Sequence, residues 1–211
     1  GSIDLDSYHK VFPELKGKES PALIFARGVA NIAITGSGTI NGQGAHQNFQ
    51  HGNDSKGGPR RPKIIYFIGC NNVRVQDVTL RNSAYWTQDY EKCNGVIVRG
   101  VKVYSHANWN NDGLDIDSRN VVVSDCYIDC DDDALCLKSD TDTPCENVTV
   151  TNCVLKSNCN AIKFGTSSYS GFKNVTISNC TIDRASEDHI RQWYKNLSLI
   201  HISEPTRLRR I

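Results

Sequence analysis

A motif that recurs every 23 to 27 residues from residue 72 onward is the feature that most restricts the fold of this chain. Each copy is a short alternating strand rich in Val, Ile and Thr followed by a polar turn, as in RNVVVSDC, ENVTVTNC and KNVTISNC. An Asn, or once a Gly, anchors each copy, and the anchors are Asn31, Asn72, Gly95, Asn120, Asn147 and Asn174. The steps between the last five are 23, 25, 27 and 27 residues. Helical periodicity is almost absent.

This period predicts an all-β parallel β-helix. A coil of 20 to 30 residues with several short strands cannot bury its own apolar face, so stacking on its neighbours completes the core. A leucine-rich repeat has a similar period but requires an LxxLxL pattern, which is missing. A β-sandwich would not keep the register of the repeat.

The nine cysteines fall into the same register. One column contains Cys126, Cys153 and Cys180, and Val occupies the equivalent position in earlier copies. A second column, two residues before the anchor, contains Cys70, Cys93 and Cys145. Because Cys alternates with Val, we interpret these residues as small buried hydrophobes rather than as disulfides. The Asn anchors are expected to form a buried ladder of side-chain amides.

Composition excludes several functional classes. The 211 residues fit one domain or a piece of a larger one, and 38% of them are hydrophobic. The net charge of +1 gives no electrostatic reason to expect nucleic acid or a membrane surface as a partner, and no segment has the length and hydrophobicity of a membrane span. The short basic cluster of Arg60, Arg61 and Lys63 is interpreted as a solvated loop.

Three acidic or polar segments superimpose when the coils are aligned. The segments NDGLDIDS, DDALCLKS and NAIKFGT align on a small residue, which is preceded by Asp112, Asp133 and Asn160 respectively. Adjacent coils of a β-helix lie about 4.8 Å apart. Asp112 and Asp133 are therefore predicted to be close neighbours, with Asp132 beside them.

A cluster of three carboxylates favours acid–base chemistry. Crowded acids raise at least one pKa and leave the others ionised, which separates a general acid from a general base. Hydrolysis of a glycosidic bond requires this combination. On the outer face Asp117 and Lys138 share a column and are predicted to form an ion pair. Lys163 shares a column with Asp115, and either an ion pair or binding of an anionic substrate group fits that position.

The segments NNDGLDIDS, DDDALCLKS, NSAYWTQ and LIFARGVANIAITGSGTINGQG together resemble glycoside hydrolase family 28, the polygalacturonase and rhamnogalacturonase family. The resemblance runs from about residue 21 to about residue 195. It implies a right-handed parallel β-helix and metal-independent, inverting hydrolysis of pectic polysaccharides without a cofactor. A pectic polysaccharide or oligosaccharide would be the partner, the protein would be a monomer, and its location would be secreted or periplasmic.

The resemblance also assigns roles to individual residues. The family's Asn-Thr-Asp motif matches residues 110–112 and its Gly-Asp-Asp motif matches residues 131–133. Asp132 would be the general acid, and Asp112 and Asp133 would hold and deprotonate the water. The predicted substrate-binding residues are Asn111, Asn160, Lys163 and Trp109, of which Trp109 is a candidate for sugar stacking.

One departure indicates a divergent member of the family. The Gly-His-Gly motif is replaced by Cys159, Asn160 and Ala161, so the usual histidine is absent. Asn160 can form hydrogen bonds but cannot titrate. This favours a branch that acts on rhamnogalacturonan or on chain ends.

Three segments are expected along the chain: a lead-in at residues 1–20, the β-helix at residues 21–196 and a tail at residues 197–211. The tail fits no coil and reads as translated sequencing adaptor, so the β-helix is expected to be a fragment, incomplete at both ends and inactive by itself. Two alternatives to hydrolysis stay open. One is a pectate-lyase-like β-helix that binds Ca²⁺ and carries out β-elimination, and the other is a non-catalytic carbohydrate-binding or structural β-helix.

Overall fold

The computed structural model describes residues 22–49 and 61–185 and shows a right-handed parallel β-helix, which confirms the predicted fold. The predicted lead-in, the last residues assigned to the β-helix (186–196) and the predicted tail lie outside the described residues. Among the described residues, no helix is long and apolar enough to cross a membrane.

Short strands alternate with tight turns along the whole described chain, and one short 3-10 helix covers Gln47–Phe49. The strands are β1 (Ala22–Arg27), β2 (Ala30–Thr35), β3 (Thr39–Asn41), β4 (Lys63–Ile68), β5 (Asn71–Gln76), β6 (Thr79–Arg81), β7 (Gln88–Arg99), β8 (Lys102–Ser105), β9 (Leu114–Ser124), β10 (Tyr127–Cys130), β11 (Leu135–Ser139), β12 (Cys145–Thr151), β13 (Val154–Ser157), β14 (Ile162–Ser168), β15 (Phe172–Ser178) and β16 (Thr181–Ala185).

The strands form two sheets that wrap around one core. The ten-stranded sheet follows the order β1-β4-β7-β9-β11-β14, and β2, β5, β12 and β15 extend it past a bend. The six-stranded sheet follows the order β16-β13-β10-β8-β6-β3, with one strand from each coil. All strand pairs are parallel, because each coil returns to the start of the next with the same direction.

Apolar side chains stack in columns inside the coils. Leu114 pairs in register with Leu135, which pairs with Ile162 on the following coil. Leu114 and Leu135 are fully buried, and Ile162 is partly buried against the same core. These inward positions confirm the alignment that also placed the acids.

The Asn anchors form a ladder, but the prediction that it is buried is wrong. Asn72 donates to Asn31 over 2.7 Å, Asn147 to Asn120 over 3.0 Å and Asn174 to Asn147 over 2.9 Å, and these side chains are exposed. Backbone conformation explains the anchors. The five Asn anchors have φ between 52° and 61°, and the sixth anchor, Gly95, has φ 73°. Asn and Gly are the residues that enter this left-handed region at least cost.

The cysteines confirm the interpretation from the sequence. All nine are free thiols, and both predicted columns lie against the core. Cys70, Cys93 and Cys145 are fully buried, as are Cys126 and Cys153, whereas Cys180 at the end of its column is partly exposed.

Candidate active site

The predicted catalytic residues lie on one corner of the coils, where the chain passes from the six-stranded sheet into the ten-stranded sheet. Backbone hydrogen bonds hold successive turns in register at this corner. The amide of Thr87 donates to the carbonyl of Asp112, that of Gly113 to Asp133 and that of Ala134 to Asn160, over 2.7, 2.8 and 2.9 Å. The structure therefore stacks Asp112, Asp133 and Asn160 on consecutive coils, as the alignment predicted.

Gly113 is small because the corner is tightly packed. A Cβ on this residue would lie 2.3 Å from Cγ2 of Ile128 and 2.7 Å from the carbonyl oxygen of Ala134. The absence of a side chain lets the turn that carries Asp112 approach the turn that carries Asp133.

Asp133 is surrounded by donors. Lys163 Nζ donates to Oδ2 over 2.6 Å, and Nδ2 of Asn160 donates to Oδ1 over 2.7 Å. The Asp133 side chain is 1% exposed. Both oxygens of this buried carboxylate therefore accept hydrogen bonds, one of them from a cation. Of the two alternatives for Lys163, the structure shows an ion pair, and its partner is Asp133 rather than Asp115.

The carboxyl of Asp132 accepts hydrogen bonds from an amide side chain and from a backbone amide. Its Oδ2 accepts a hydrogen bond from Nδ2 of Asn110 over 3.2 Å, and its Oδ1 accepts one from the backbone amide of Asp133 over 3.0 Å. Burial, followed by the charge of Asp133, raises the pKa of Asp132 to about 6. A carboxyl with this pKa holds its proton in mildly acidic solution.

Asp112 is also buried at the corner. Burial, followed by the charges of Asp115, Asp132 and Asp133, raises the pKa of this carboxyl well above its ordinary value. Its Oδ1 is buried without a hydrogen-bond partner among the described residues. Desolvation and neighbouring negative charge both favour the neutral acid.

The outer face of the ten-stranded sheet carries a column of polar side chains beneath this corner. Tyr66, Asp89, Asp115, Cys136 and Lys163 are register partners on successive coils. We call this set the outer column. Its acidic members are buried, since Asp89 is 4% exposed and Asp115 is fully enclosed.

The predicted ion pair between Asp117 and Lys138 is wrong. Lys138 Nζ lies 3.2 Å from Oδ1 of Asp115 instead, because the long side chain reaches diagonally across the column. Asp117 accepts hydrogen bonds from the backbone amides of Asp140 and Thr141 over 2.9 and 3.2 Å. Burial raises the pKa of Asp117 to about 6.

The basic cluster is also not the solvated loop that we predicted, at least for Arg61 and Lys63. Arg61 is 3% exposed and donates to the backbone carbonyls of Ala84 and Trp109. Lys63 is buried and forms an ion pair with Asp89. The two cations are buried because a layer of aromatic rings and a buried acid surround them. These rings and this acid are distant from Arg61 and Lys63 in the sequence.

That aromatic layer covers the outer column. The rings of Tyr85 and Trp86 stack with centroids 5.0 Å apart, and Nζ of Lys63 and of Lys138 lie 4.5 and 4.4 Å from the Trp86 centroid. The guanidinium of Arg61 lies 4.2 Å from the ring of Trp109, so one face of the predicted stacking residue is already occupied. Cations on aromatic faces are stabilised by the ring quadrupole.

Asn111 is fully buried, and both polar atoms of its side chain lack a hydrogen-bond partner among the described residues. Its role in substrate binding stays a prediction. Two residues near the corner, Lys63 and Asp89, were not predicted from the sequence to belong to the site.

Two groups of side chains at the corner have potential metal-ligating atoms within 4.8 Å of one another: Asp112 with Asp115 and Cys136, and Asp132 with Asp133 and Cys159. In both groups a lysine already supplies the positive charge, Lys138 in the first and Lys163 in the second. A divalent cation would have to displace an ammonium, and we therefore assign no metal to either group.

Comparison with known proteins identifies the family of this chain. Residues 9–191 match the family model described as glycosyl hydrolases family 28. The chain belongs to this family. The chain is similar to part of two relatives. One is a "Probable polygalacturonase At3g15720" of Arabidopsis thaliana, 32% identical over 128 residues, and the other is a "Probable polygalacturonase" of Vitis vinifera, 32% identical over 126 residues. These alignments cover 60% and 57% of the chain but only 26% and 25% of the relatives, so the chain spans about a quarter of their length.

Two solved structures have a similar fold. An exopolygalacturonase of Thermotoga maritima superimposes with a TM-score of 0.66 at 26% identity, over 76% of this family 28 chain and 46% of that chain. A polygalacturonase of Erwinia carotovora has a TM-score of 0.62 at 22% identity, over 78% and 46% of the two chains, and supports the fold alone.

Proposed function

We propose that this protein hydrolyses glycosidic bonds of pectic polysaccharides, galacturonan or rhamnogalacturonan, by an inverting mechanism that needs no metal or cofactor. The observation that carries the proposal is the contrast between two adjacent carboxyls. Asp133 accepts hydrogen bonds from Lys163 and Asn160, whereas burial and the charge of Asp133 raise the pKa of Asp132 to about 6. A carboxyl that can donate a proton and a carboxylate that can accept one are the two groups that general acid–base hydrolysis of a glycosidic bond requires.

The three aspartates have different roles in the proposed reaction. Asp132 donates its proton to the leaving glycosidic oxygen, and Asp133 removes a proton from the attacking water, which Asp112 helps to hold. Asn160, Trp109 and Asn111 are proposed to position the sugar.

Lys163 has two roles in this proposal. It fixes the charge of Asp133, and its side chain remains 22% exposed, which leaves its ammonium accessible to the carboxylate of a uronic acid.

Membership in family 28 supports hydrolysis over the lyase-like and non-catalytic alternatives. Because pectic polysaccharides lie outside cells, we expect a secreted or periplasmic monomer with no nucleic-acid or membrane partner.

The test is product analysis with defined oligosaccharides of homogalacturonan and of rhamnogalacturonan. We expect new reducing ends of inverted anomeric configuration, formed equally well in EDTA, and no unsaturated product that absorbs in the ultraviolet. Asp132→Asn should abolish the products. Asp125→Asn, an exposed change on the same coil, should retain them. Loss of activity in EDTA together with an unsaturated product would instead establish a lyase, and equal activity of both variants would remove Asp132 from the mechanism.

A further inference from the structure

We infer that Asp112 and Asp115 share a single proton, and that Asp115, through its ion pair with Lys138, is the positioning residue that keeps this proton on Asp112. The coupling itself is a property of the corner, and only its meaning for the reaction rests on the proposed function.

Distance and burial make simultaneous ionisation of the two acids unfavourable. A carboxylate oxygen of Asp112 and one of Asp115 lie within 4.8 Å of each other. Asp112 is 3% exposed and Asp115 is fully enclosed. Two negative charges at this separation, shielded from water, repel each other strongly, so a buried pair of acids retains one proton between them.

The location of Lys138 decides which acid is ionised. Its Nζ lies 3.2 Å from Oδ1 of Asp115, and the ring of Trp86 covers it at 4.4 Å. The other two lysines near the corner are already paired, Lys63 with Asp89 and Lys163 with Asp133. No lysine among the described residues pairs with Asp112, so the proton is more stable there than on Asp115.

The remaining charged neighbours support this distribution. The groups that face Asp115 are Lys138, Asp89, Lys63, Asp133, Asp112, Cys136 and Tyr85. The groups that face Asp112 are Asp115, Asp132, Asp133, Lys138, Lys163, Tyr85, Cys130, Cys136 and Cys159, and of the two lysines each pairs with another acid. Burial raises the pKa of Asp115 to about 7 although Lys138 lowers it, whereas the pKa of Asp112 is raised by burial and then by Asp115 itself.

Protonation of Asp112 changes the roles of Asp112 and Asp133 in the proposed reaction. The neutral carboxyl can donate a hydrogen bond, so it orients the water or a sugar oxygen instead of competing for the proton of the water. Asp133 is then the single general base. Asp115 touches no reacting atom and acts through Asp112.

The experiment follows the carboxyl ¹³C signals of the full chain labelled at Cγ of aspartate, during a pH titration. Asp115→Asn removes the repelling charge and leaves the ammonium of Lys138 near Asp112. The titration midpoint of Asp112 should therefore fall by about one pH unit or more. Asp89→Asn is the matched control, because Asp89 is the register partner of Asp115 and is also buried and paired with a lysine. This control should leave the midpoint of Asp112 unchanged.

A reciprocal variant covers the case in which Asp115→Asn does not fold. Asp112→Asn replaces a neutral acid with a neutral amide, so the midpoint of Asp115 should stay within about half a pH unit, while the second, higher midpoint of the pair should disappear. An unchanged midpoint of Asp112 in Asp115→Asn, a clear fall in the midpoint of Asp115 in Asp112→Asn, or an equal shift of Asp112 in Asp89→Asn would overturn the inference. These readouts do not depend on hydrolysis, so an inactive chain with a coupled pair would reject the proposed function alone.

Discussion

At the corner of each coil that carries an Asn anchor, like side chains stack on like side chains, whereas at the corner that carries Asp112, Asp133 and Asn160 the stack is chemically mixed. The anchor amides both donate and accept, so each one satisfies its neighbour and the ladder tolerates exposure to water. A carboxylate only accepts, so stacked acids cannot satisfy one another. The acid corner therefore depends on Lys163, which reaches Asp133 from the outer column, while Lys138 pairs with Asp115 of that column.

This difference separates a structural repeat from a site. The Asn ladder repeats one backbone solution, a left-handed residue at the same place in each coil. The acid corner uses the same coil spacing to bring unlike charges into a buried space, where their pKa values diverge. Substitutions that exchange equivalent chemistry at the two corners should therefore have very different effects.

The largest effect is expected on catalysis. Asp133→Asn removes the proposed base and should lower kcat/KM for pectic oligosaccharides by about 10³-fold. Asp125 lies in an exposed turn of the same coil and accepts a hydrogen bond from Asn152. Asp125→Asn should leave kcat/KM within about twofold. Release of reducing ends measures both, and a similar loss in the two variants would contradict a special role for the acid corner.

A smaller effect is expected on stability when a lysine is removed. Lys163→Met leaves the buried carboxylate of Asp133 without its cation and should lower the free energy of unfolding by about 3 kcal/mol at neutral pH. Lys173→Met breaks an exposed pair with Glu146 and should change it by less than about 0.5 kcal/mol. Denaturation in urea compares the two, and equal losses would mean that burial of the acid corner is energetically unimportant.

The acid corner should also make stability depend on pH, and the uncharged Asn ladder should not. The folded-state pKa of Asp132, raised to about 6, exceeds the unfolded value of about 3.9. The folded chain therefore binds more protons in this window, and its contribution to stability is fully present below about pH 4 and is lost as the pH rises through about 6.

This contribution is on the order of 2 kcal/mol for Asp132. Unfolding free energies measured across the window should fall less with rising pH in Asp132→Asn than in the unaltered chain, whereas Asp125→Asn should follow the unaltered chain. A free energy that rises with pH equally in all three proteins would refute this assignment.

The smallest effect is expected at the Asn ladder itself. Asn120 has φ 57°, donates to Asn94 and accepts from Asn147. Asn120→Ala places an unsuitable residue in the left-handed region and should cost about 1 to 2 kcal/mol, while Asn120→Gly relieves the backbone and should cost about 0.5 kcal/mol. The order of the two unfolding free energies decides between backbone conformation and the lost hydrogen bonds as the main reason for the anchor.

Much of this protein was readable from the repeat. Because each coil adds the same strands at the same spacing, the period determined the β-helix, the core columns and the stacking of Asp112 on Asp133. The free cysteines followed from their exchange with Val in the same columns. The assignment of roles to Asp132 and Asp133 came from family resemblance and stays a prediction.

The partners of the acids were decided only by tertiary structure. A register shift in the pairing of β7 with β9 lies between Glu91 and Asn94, so counting from the anchors does not align Asp89 with Asp115. Lys138 and Lys63 have long side chains that reach diagonally or across coils, and their burial depends on the aromatic cover of Trp86. Sequence spacing specifies where a backbone stacks, but the direction of a flexible charged side chain depends on which buried charge and which ring it meets.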